Sequence, residues 1–215
     1  MRFTLPLLTA AVMAFAGAAQ AATLSFGFDG SADGWTLIDD AKDRNGTQNE
    51  LTAVASGGVT GGYLQVKDKT GGYMALVAPA ALNGDLSAFH KGRLSFHLAD
   101  LTTKKARAVP TFGQVSITGA GRTVKVDPFA GTVGPDFERA TITLTGGAFG
   151  IDDAAFAAIL ADVTDFRISL ESRFGLVETV AIDDFEISAV PLPAGGLLLL
   201  TGLGAIAVAR RRKAA

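Results

Sequence analysis

The middle of the chain, from residue 22 to residue 189, alternates apolar and polar positions with a period of two. LSFGF at residues 24–28 and RLSFHL at residues 93–98 both follow this pattern. Such alternation predicts short strands with one buried face and one solvated face. The pattern recurs in WTLI, YLQV, ATITL, FRISL and VAIDDFEIS, and QVSIT and RTVKV flank the turn GAG as a hairpin. Short strands separated by glycine turns predict an all-β protein, an antiparallel jelly-roll-like β-sandwich.

One segment, IDDAAFAAILADVTDF, departs from the period of two. Its apolar residues Phe156, Ile159, Leu160 and Val163 recur at helical spacing. Asp152 precedes them as a good N-cap, because its carboxylate can accept hydrogen bonds from first-turn amides. The segment therefore predicts one short helix at an end of the sandwich, with Phe156 and Leu160 buried.

The N-terminal 21 residues have no polar face. They carry one early charge at Arg2, an apolar region through Ala16, and small residues at Ala19 and Ala21. This is the pattern of a secretory signal peptide. Residues 1–21 are therefore expected to direct export, and signal peptidase is expected to cleave after Ala21.

The C-terminal segment, residues 190–215, is a second apolar stretch that ends in a basic cluster. As a helix, the stretch from Pro193 to Ala209 would reach roughly 26 Å, slightly less than the roughly 30 Å of a bilayer's hydrocarbon core. Lysine and arginine resist translocation, which places the cluster in the cytoplasm and the body outside. The segment predicts a transmembrane helix stopped by Arg210, Arg211, Arg212 and Lys213.

The residues before this span are Val190, Pro191, Leu192, Pro193 and Ala194. This motif, followed by the apolar span and the arginine cluster, resembles the VPLPA variety of the PEP-CTERM sorting signals of Gram-negative bacteria. The resemblance implies processing by an exosortase, an integral membrane protease or transpeptidase, from a precursor in the inner membrane. The product would lie at the cell surface or in the extracellular matrix. The alternative is a permanent single-pass anchor.

Charge and cysteine content narrow the classes of function. The chain has 19 Lys and Arg and 21 Asp and Glu. Five of the basic residues, at positions 2 and 210–213, lie in the terminal segments, which leaves a body charge of 14 − 21 = −7. An acidic body disfavours nucleic-acid binding, which needs basic surface. The absence of cysteine excludes disulfides, thiol catalysis and thiolate metal sites.

The order of motifs within the body carries a second resemblance. FDG and GW come first, then GGYLQVKD, then TGGYMALVAPAALNGDLSAFHKGRLSFHLAD, LADVTDFRISLES and AIDDFEI. This order resembles the laminin B domain, also called laminin IV type A, from about Phe28 to Ile187. Asn83 and Ser169 depart from the family's usual pattern. The resemblance implies a β-sandwich of the carbohydrate-binding-module kind with a non-catalytic adhesive or matrix role.

An enzyme is the alternative, specifically a secreted jelly-roll glycan hydrolase or lyase. Such an enzyme needs two facing carboxylates, and the candidates are Glu171 and Glu186. Simple alternation places Glu171 on an ordinary solvated strand face. Neither His90 nor His97 lies near a nucleophile motif. We therefore expect a non-enzymatic protein with extracellular polysaccharide as its partner.

Two acidic clusters offer oxygen ligands for a hard cation. Asp29 lies in DGSADG near the start of the body, and Asp183 lies in the last strand. First and last strands are neighbours in many jelly rolls, so the two carboxylates can meet. Calcium prefers such oxygen ligands. Aspartate and glycine are also ordinary turn residues, which is the alternative. If an ion is present, Asp29, Asp183 and the backbone near Gly34 are its expected ligands.

Aromatic side chains are the remaining indicators of a glycan site. Trp35 follows a turn and begins the strand WTLI, a position typical of a core-capping aromatic. Tyr63 and Tyr73 are expected in the core or at a sheet edge. The sequence therefore does not single out ligand-binding aromatics.

Overall fold

The computed structural model describes residues 21–39, 48–70, 72–175 and 177–190. Ala22–Val190 form one compact unit. The predicted signal peptide, the membrane span with its basic cluster, and the motif from Pro191 onward lie outside the described residues. Across the described ranges, the helix that is present is too short to cross a membrane.

The strands are short, as the sequence predicts, and the elements follow one another without repeats. They are β1 (Thr23–Phe26), β2 (Thr36–Asp39), β3 (Glu50–Val54), β4 (Tyr63–Lys67), β5 (Met74–Val77), β6 (Arg93–Asp100), β7 (Val115–Gly119), β8 (Arg122–Val126), β9 (Glu138–Thr143), α1 (Asp153–Ala161), β10 (Val163–Ser169) and β11 (Thr179–Ser188). Two 3₁₀ turns, Ala80–Leu82 and Ser87–Phe89, connect β5 to β6.

The strands form two antiparallel sheets. The six-stranded sheet has the order β3-β4-β11-β6-β9, and β1 also pairs with β11. The five-stranded sheet has the order β2-β5-β10-β7-β8. The apolar side of each sheet contributes to one shared hydrophobic core. The all-β, jelly-roll-like sandwich with one short helix is therefore confirmed.

The core contains the predicted tryptophan and the predicted helix face. Trp35 is 2% exposed, and its ring centroid lies 4.9 Å from that of Phe185. The Asp152 side chain caps α1 by accepting the backbone N–H groups of the second and third residues after it. Phe156 and Leu160 are fully buried. Helix α1 packs so closely on β7 that a Cβ at Gly119 would lie 2.3 Å from the Ile159 carbonyl oxygen.

Candidate ligand and metal sites

A bulge in β11 shapes the outer surface of the six-stranded sheet. The pairing of β11 with β6 shifts register between Asp183 and Glu186. Asp184 lies at the shift with a φ of +49°, a left-handed conformation that is uncommon outside glycine. Phe185 then points into the core, where it is fully buried. The bulge therefore places Asp183, Asp184 and Glu186 within one short stretch of the outer surface.

The glycine loop, residues 57–62, covers the buried carboxylate of Asp183. Asp183 Oδ2 accepts hydrogen bonds from the backbone N–H groups of Val59 (2.6 Å) and Thr60 (3.4 Å). Oδ1 accepts the N–H of Asp184 at 2.7 Å. A Cβ at Gly58 would lie 2.5 Å from Asp183 Oδ2, so glycine is required for this approach. Burial raises the pKa of Asp183, and these N–H donors oppose that rise.

The same loop also contacts Asp29, the other predicted calcium ligand. Asp29 Oδ1 accepts the backbone N–H of Gly62 at 2.7 Å. The structure therefore brings Asp29 and Asp183 to one loop, and β1 lies beside β11 as the prediction required. However, the loop presents N–H groups to both carboxylates, and these occupy lone pairs that a cation would need. Gly34 instead packs against Pro79, whose Cβ lies 3.0 Å from a Cβ built on it. Calcium at Asp29 and Asp183 stays a prediction.

A different acidic group lies at the far ends of β4, β10 and β11. Among the described residues, Asp68, Glu171 and Glu178 each offer one carboxylate oxygen to a set whose members lie within 4.8 Å of one another. We call these three residues the acid trio. All three are buried, with exposures of 0%, 9% and 1%. Converging oxygens are the donor set that a hard cation such as Ca²⁺ uses.

Glu178 is the best-defined member of the acid trio. Its carboxylate accepts hydrogen bonds from the Ser172 backbone (2.8 Å), the Ser172 hydroxyl (2.8 Å) and the Arg173 backbone (2.6 Å). Burial nevertheless raises its pKa from 4.5 to about 7, and the nearby Asp68 charge adds to that rise. Arg173 pairs with Asp100 at 2.7 Å.

The predicted catalytic carboxylates do not come together. Glu171 belongs to the acid trio and is 9% exposed, so its expected place on a solvated strand face is wrong. It follows β10 of the five-stranded sheet, whereas Glu186 lies in β11 of the six-stranded sheet. His90 lies 3.1 Å from Asp153 at the start of α1. These positions remove the specific carboxylate pair on which the hydrolase alternative depended.

The bulge pocket is a cavity of about 390 Å³ beside the glycine loop on the outer surface of the six-stranded sheet. Phe26 and Phe185, whose rings pack in the core, also border it. The polar residues that line it are Ser25, Thr60, Ser95, His97, Arg139, Asp184 and Glu186.

The outer face of the five-stranded sheet holds a second, smaller pocket of about 210 Å³, which we call the Tyr73 face. Tyr73 is 43% exposed and precedes the internal strand β5, so the expectation of a core or edge position is wrong for Tyr73. Tyr63 packs against Phe137, with ring centroids 5.7 Å apart. The polar groups that line the Tyr73 face include Gln114, Lys125, Asp165, Arg167 and Ser169.

Comparisons with known proteins give similarities to solved β-sandwich domains. The family 11 carbohydrate-binding module from Clostridium thermocellum is 13% identical, covering 81% of this chain and 98% of that chain, with a TM-score of 0.48. The CBM22-1 xylan-binding domain from Paenibacillus barcinonensis is 15% identical, covering 82% of this chain and 100% of that chain, with a TM-score of 0.47. The L4b domain of human laminin α-2 is 14% identical, covering 54% of this chain and 70% of that chain, with a TM-score of 0.44. No protein-family model matches the chain, and no curated protein matches it by sequence.

Proposed function

We propose that the chain is an exported, non-enzymatic protein that binds extracellular polysaccharide through the Tyr73 face. The observation that carries this proposal is the exposure of Tyr73, at 43%, beside a surface of polar side chains. An exposed tyrosine offers an apolar ring face for a sugar and a hydroxyl for hydrogen bonding. The polar groups beside the ring fix the orientation of the bound sugar and make its recognition specific.

The polar groups of the Tyr73 face are fixed by the strands that carry them. Arg167 lies opposite Ser116 in β7, and Ser116 lies opposite Lys125 in β8. The Arg167 Nε donates to Asp165 at 2.9 Å, which orients the guanidinium group along the sheet. The Ser169 hydroxyl is buried and has no hydrogen-bond partner among the described residues. Rigid strands therefore hold several donors and acceptors beside an exposed tyrosine, an arrangement that suits the hydroxyl groups and ring faces of a polysaccharide.

Affinity gel electrophoresis of the full chain in mild detergent, against gels containing xylan, mixed-linkage glucan or the native matrix polysaccharide, tests this assignment. We expect retardation by at least one polysaccharide and its loss in Tyr73→Ala, at a cost of about 1–3 kcal/mol for a stacked ring. Phe174→Ala is the matched control, because Phe174 is 49% exposed but lies away from this face. Retardation that Tyr73→Ala leaves unchanged would refute the Tyr73 face as the polysaccharide site.

Export and sorting are the second part of the proposal. Signal peptidase removes residues 1–21, and an exosortase-type enzyme of the inner membrane processes the segment from Val190 onward, leaving the body at the cell surface or in the extracellular matrix. The order of the motif, the apolar span and the basic cluster supports this. The body offers further support, because the Ala189 N–H donates to the Ala22 carbonyl at 2.8 Å. The two cleavage points therefore lie just outside the paired strands β1 and β11, and this pairing can remain intact after cleavage.

Mass spectrometry of surface-extracted protein tests the sorting proposal. We expect an N-terminus at Ala22 and loss of the residues beyond about Ala194. Surface material that still carries Arg210 to Lys213 would instead identify a permanent anchor.

A further inference from the structure

We propose that the bulge pocket is a second binding site, which takes a single neutral sugar residue through hydrogen bonds to its hydroxyl groups. This site lies on the opposite sheet from the Tyr73 face. The inference therefore does not depend on polysaccharide binding at the Tyr73 face.

Several polar groups of the bulge pocket have unused hydrogen-bonding capacity. The half-buried Glu186 carboxylate makes no hydrogen bond or ion pair with any described residue. The Nδ1 atom of His97 is buried and also has no partner in the described part of the chain. Arg139 donates to the Ser95 hydroxyl at 3.2 Å and forms no ion pair with the described residues, so most of its five N–H donors are unused. An unpaired buried atom such as His97 Nδ1 is costly, and Glu186 and the exposed Arg139 add an acceptor and donors that a ligand can use.

Strand register places these groups in two adjacent rows. Glu186 lies directly between Ser25 on β1 and Ser95 on β6. His97 lies directly opposite Arg139 on β9. Directly opposed residues have Cβ atoms about 5 Å apart, so both rows are within reach of one small ligand. The pocket volume of about 390 Å³ also lies within the range of small-molecule sites.

The chemistry of the lining favours a neutral polyhydroxyl ligand. Carboxylates such as Glu186 accept hydrogen bonds from hydroxyl groups, and the Arg139 guanidinium donates to hydroxyl oxygens. An anionic ligand would face repulsion from both Asp184 and Glu186. No exposed tyrosine or tryptophan lines this pocket, so it offers no extended platform for a chain.

The backbone at the bulge holds this arrangement in place. Asp184 adopts its left-handed φ of +49° while the Thr60 hydroxyl donates to its Oδ1 at 2.6 Å. This contact ties the glycine loop to the rim of the pocket. A non-glycine residue in a sparsely populated conformation needs support from its surroundings, and such residues concentrate at functional sites.

Isothermal titration of the full chain in mild detergent tests the proposal, with the methyl glycosides of glucose, galactose, mannose and xylose as neutral probes and methyl glucuronide as the anionic probe. We expect at least one neutral probe to bind in the millimolar range. Glu186→Gln and Arg139→Gln should each weaken that binding about tenfold, the loss expected for one hydrogen bond to a charged group.

Two controls separate this site from the rest of the molecule. Glu50→Gln changes an exposed glutamate on the same sheet outside the pocket, and Tyr73→Ala changes the opposite sheet; both should leave binding of the neutral probe unchanged. Circular dichroism and the melting temperature verify that each variant is folded. The proposal is overturned if no neutral probe binds, if methyl glucuronide binds in preference, or if folded Glu186→Gln and Arg139→Gln retain full affinity. It is equally overturned if Tyr73→Ala abolishes the binding.

Discussion

Two regions of the sandwich bury acidic side chains, and they stabilise them in different ways. The glycine loop donates backbone N–H groups to Asp183, which is fully buried. The acid trio instead places three carboxylates within 4.8 Å of one another. Burial raises the pKa of both Asp183 and Glu178. Backbone N–H groups reach both carboxylates, and one neighbouring carboxylate raises the pKa of each, Asp184 for Asp183 and Asp68 for Glu178. The two regions differ because the acid trio gathers three buried carboxylates, whereas the glycine loop surrounds Asp183 with backbone donors.

Removal of the Asp183 carboxylate should give the largest effect. Asp183→Ala leaves the N–H groups of Val59, Thr60 and Asp184 without their acceptor, and each buried orphan donor costs about 1–3 kcal/mol. We expect the free energy of unfolding of residues 22–190 to fall by about 4 kcal/mol in urea titrations. Asp184→Ala is the neighbouring control and removes a single hydroxyl contact with Thr60. Equal losses in the two variants would contradict the anchoring role of Asp183.

The pH dependence of stability should distinguish the acid trio from the glycine loop. Glu178 has a folded pKa of about 7 against an ordinary value of 4.5. The folded state therefore binds a proton at higher pH than the unfolded state does, and stability rises as pH falls from about 7 towards 4.5. Below the unfolded value both states are protonated and the contribution stays constant. We expect unfolding at pH 5 to cost up to roughly 3 kcal/mol more than at pH 8.

Glu178→Gln tests whether Glu178 is the source of this slope. The amide loses one acceptor for Ser172 or Arg173, so stability should fall near pH 5, and the rise between about pH 7 and 5 should largely disappear. Asp153→Asn serves as a control, because hydrogen bonds from Gly146 and His90 lower the pKa of Asp153. The contribution of Asp153 to stability therefore falls as pH falls, opposite in sign to that of Glu178. Solvent screening makes that effect small, since the Asp153 side chain is 45% exposed. A slope unchanged in Glu178→Gln would assign the pH dependence to other groups.

The sequence predicts that Asp29 and Asp183 lie near each other but does not predict the acid trio, and the reason is topological. Both predicted ligands follow from the neighbourhood of first and last strands in jelly rolls. Asp68 follows β4, whereas Glu171 and Glu178 lie near the two ends of the β10–β11 connection, and their convergence with Asp68 depends on the register of β4 against β11. Thr179 pairs with Lys67, so Glu178, which precedes Thr179, comes beside Asp68, which follows Lys67. The Asp68 N–H donates to the Glu178 carbonyl at 2.8 Å.

Alternation predicts most strands but is less informative where both faces are covered or both are open. In β5, Met74, Ala75 and Leu76 are all buried, so MALV lacks a polar period. In β3, the edge position leaves ELTAV partly exposed throughout. Helix α1 was predictable because its N-cap and apolar spacing are local features. The exposure of Tyr73 was not predictable from the sequence, because it depends on how the side chains of neighbouring strands cover the outer face of the five-stranded sheet.

Calcium binding should distinguish the glycine loop from the acid trio. If Asp29 and Asp183 bind the ion, a hundredfold excess over Kd stabilises the fold by about 2.7 kcal/mol. The melting temperature of residues 22–190 should then rise with calcium and fall with chelator, and Asp29→Asn should abolish the response while Asp68→Asn keeps it. Loss of the response in Asp68→Asn alone would place the ion at the acid trio. A melting temperature that is indifferent to calcium in the wild type would refute calcium binding at both.

The smallest expected effect is a gain of stability from Asp68→Asn without added metal. Asp68 raises the pKa of Glu178 through charge repulsion, the weakest of the contributions to that shift. The asparagine oxygen can still accept the Thr70 backbone N–H, which lies 2.7 Å from Asp68 Oδ1. Removing the charge should therefore stabilise residues 22–190 by about 1 kcal/mol above pH 7. Near pH 5, where Glu178 is mostly protonated, the gain should vanish. Urea titrations of the wild type and of Asp68→Asn at both pH values measure this difference. If the loss of stability between pH 5 and pH 8 is larger in the variant than in the wild type, the Asp68 charge supports the acid trio.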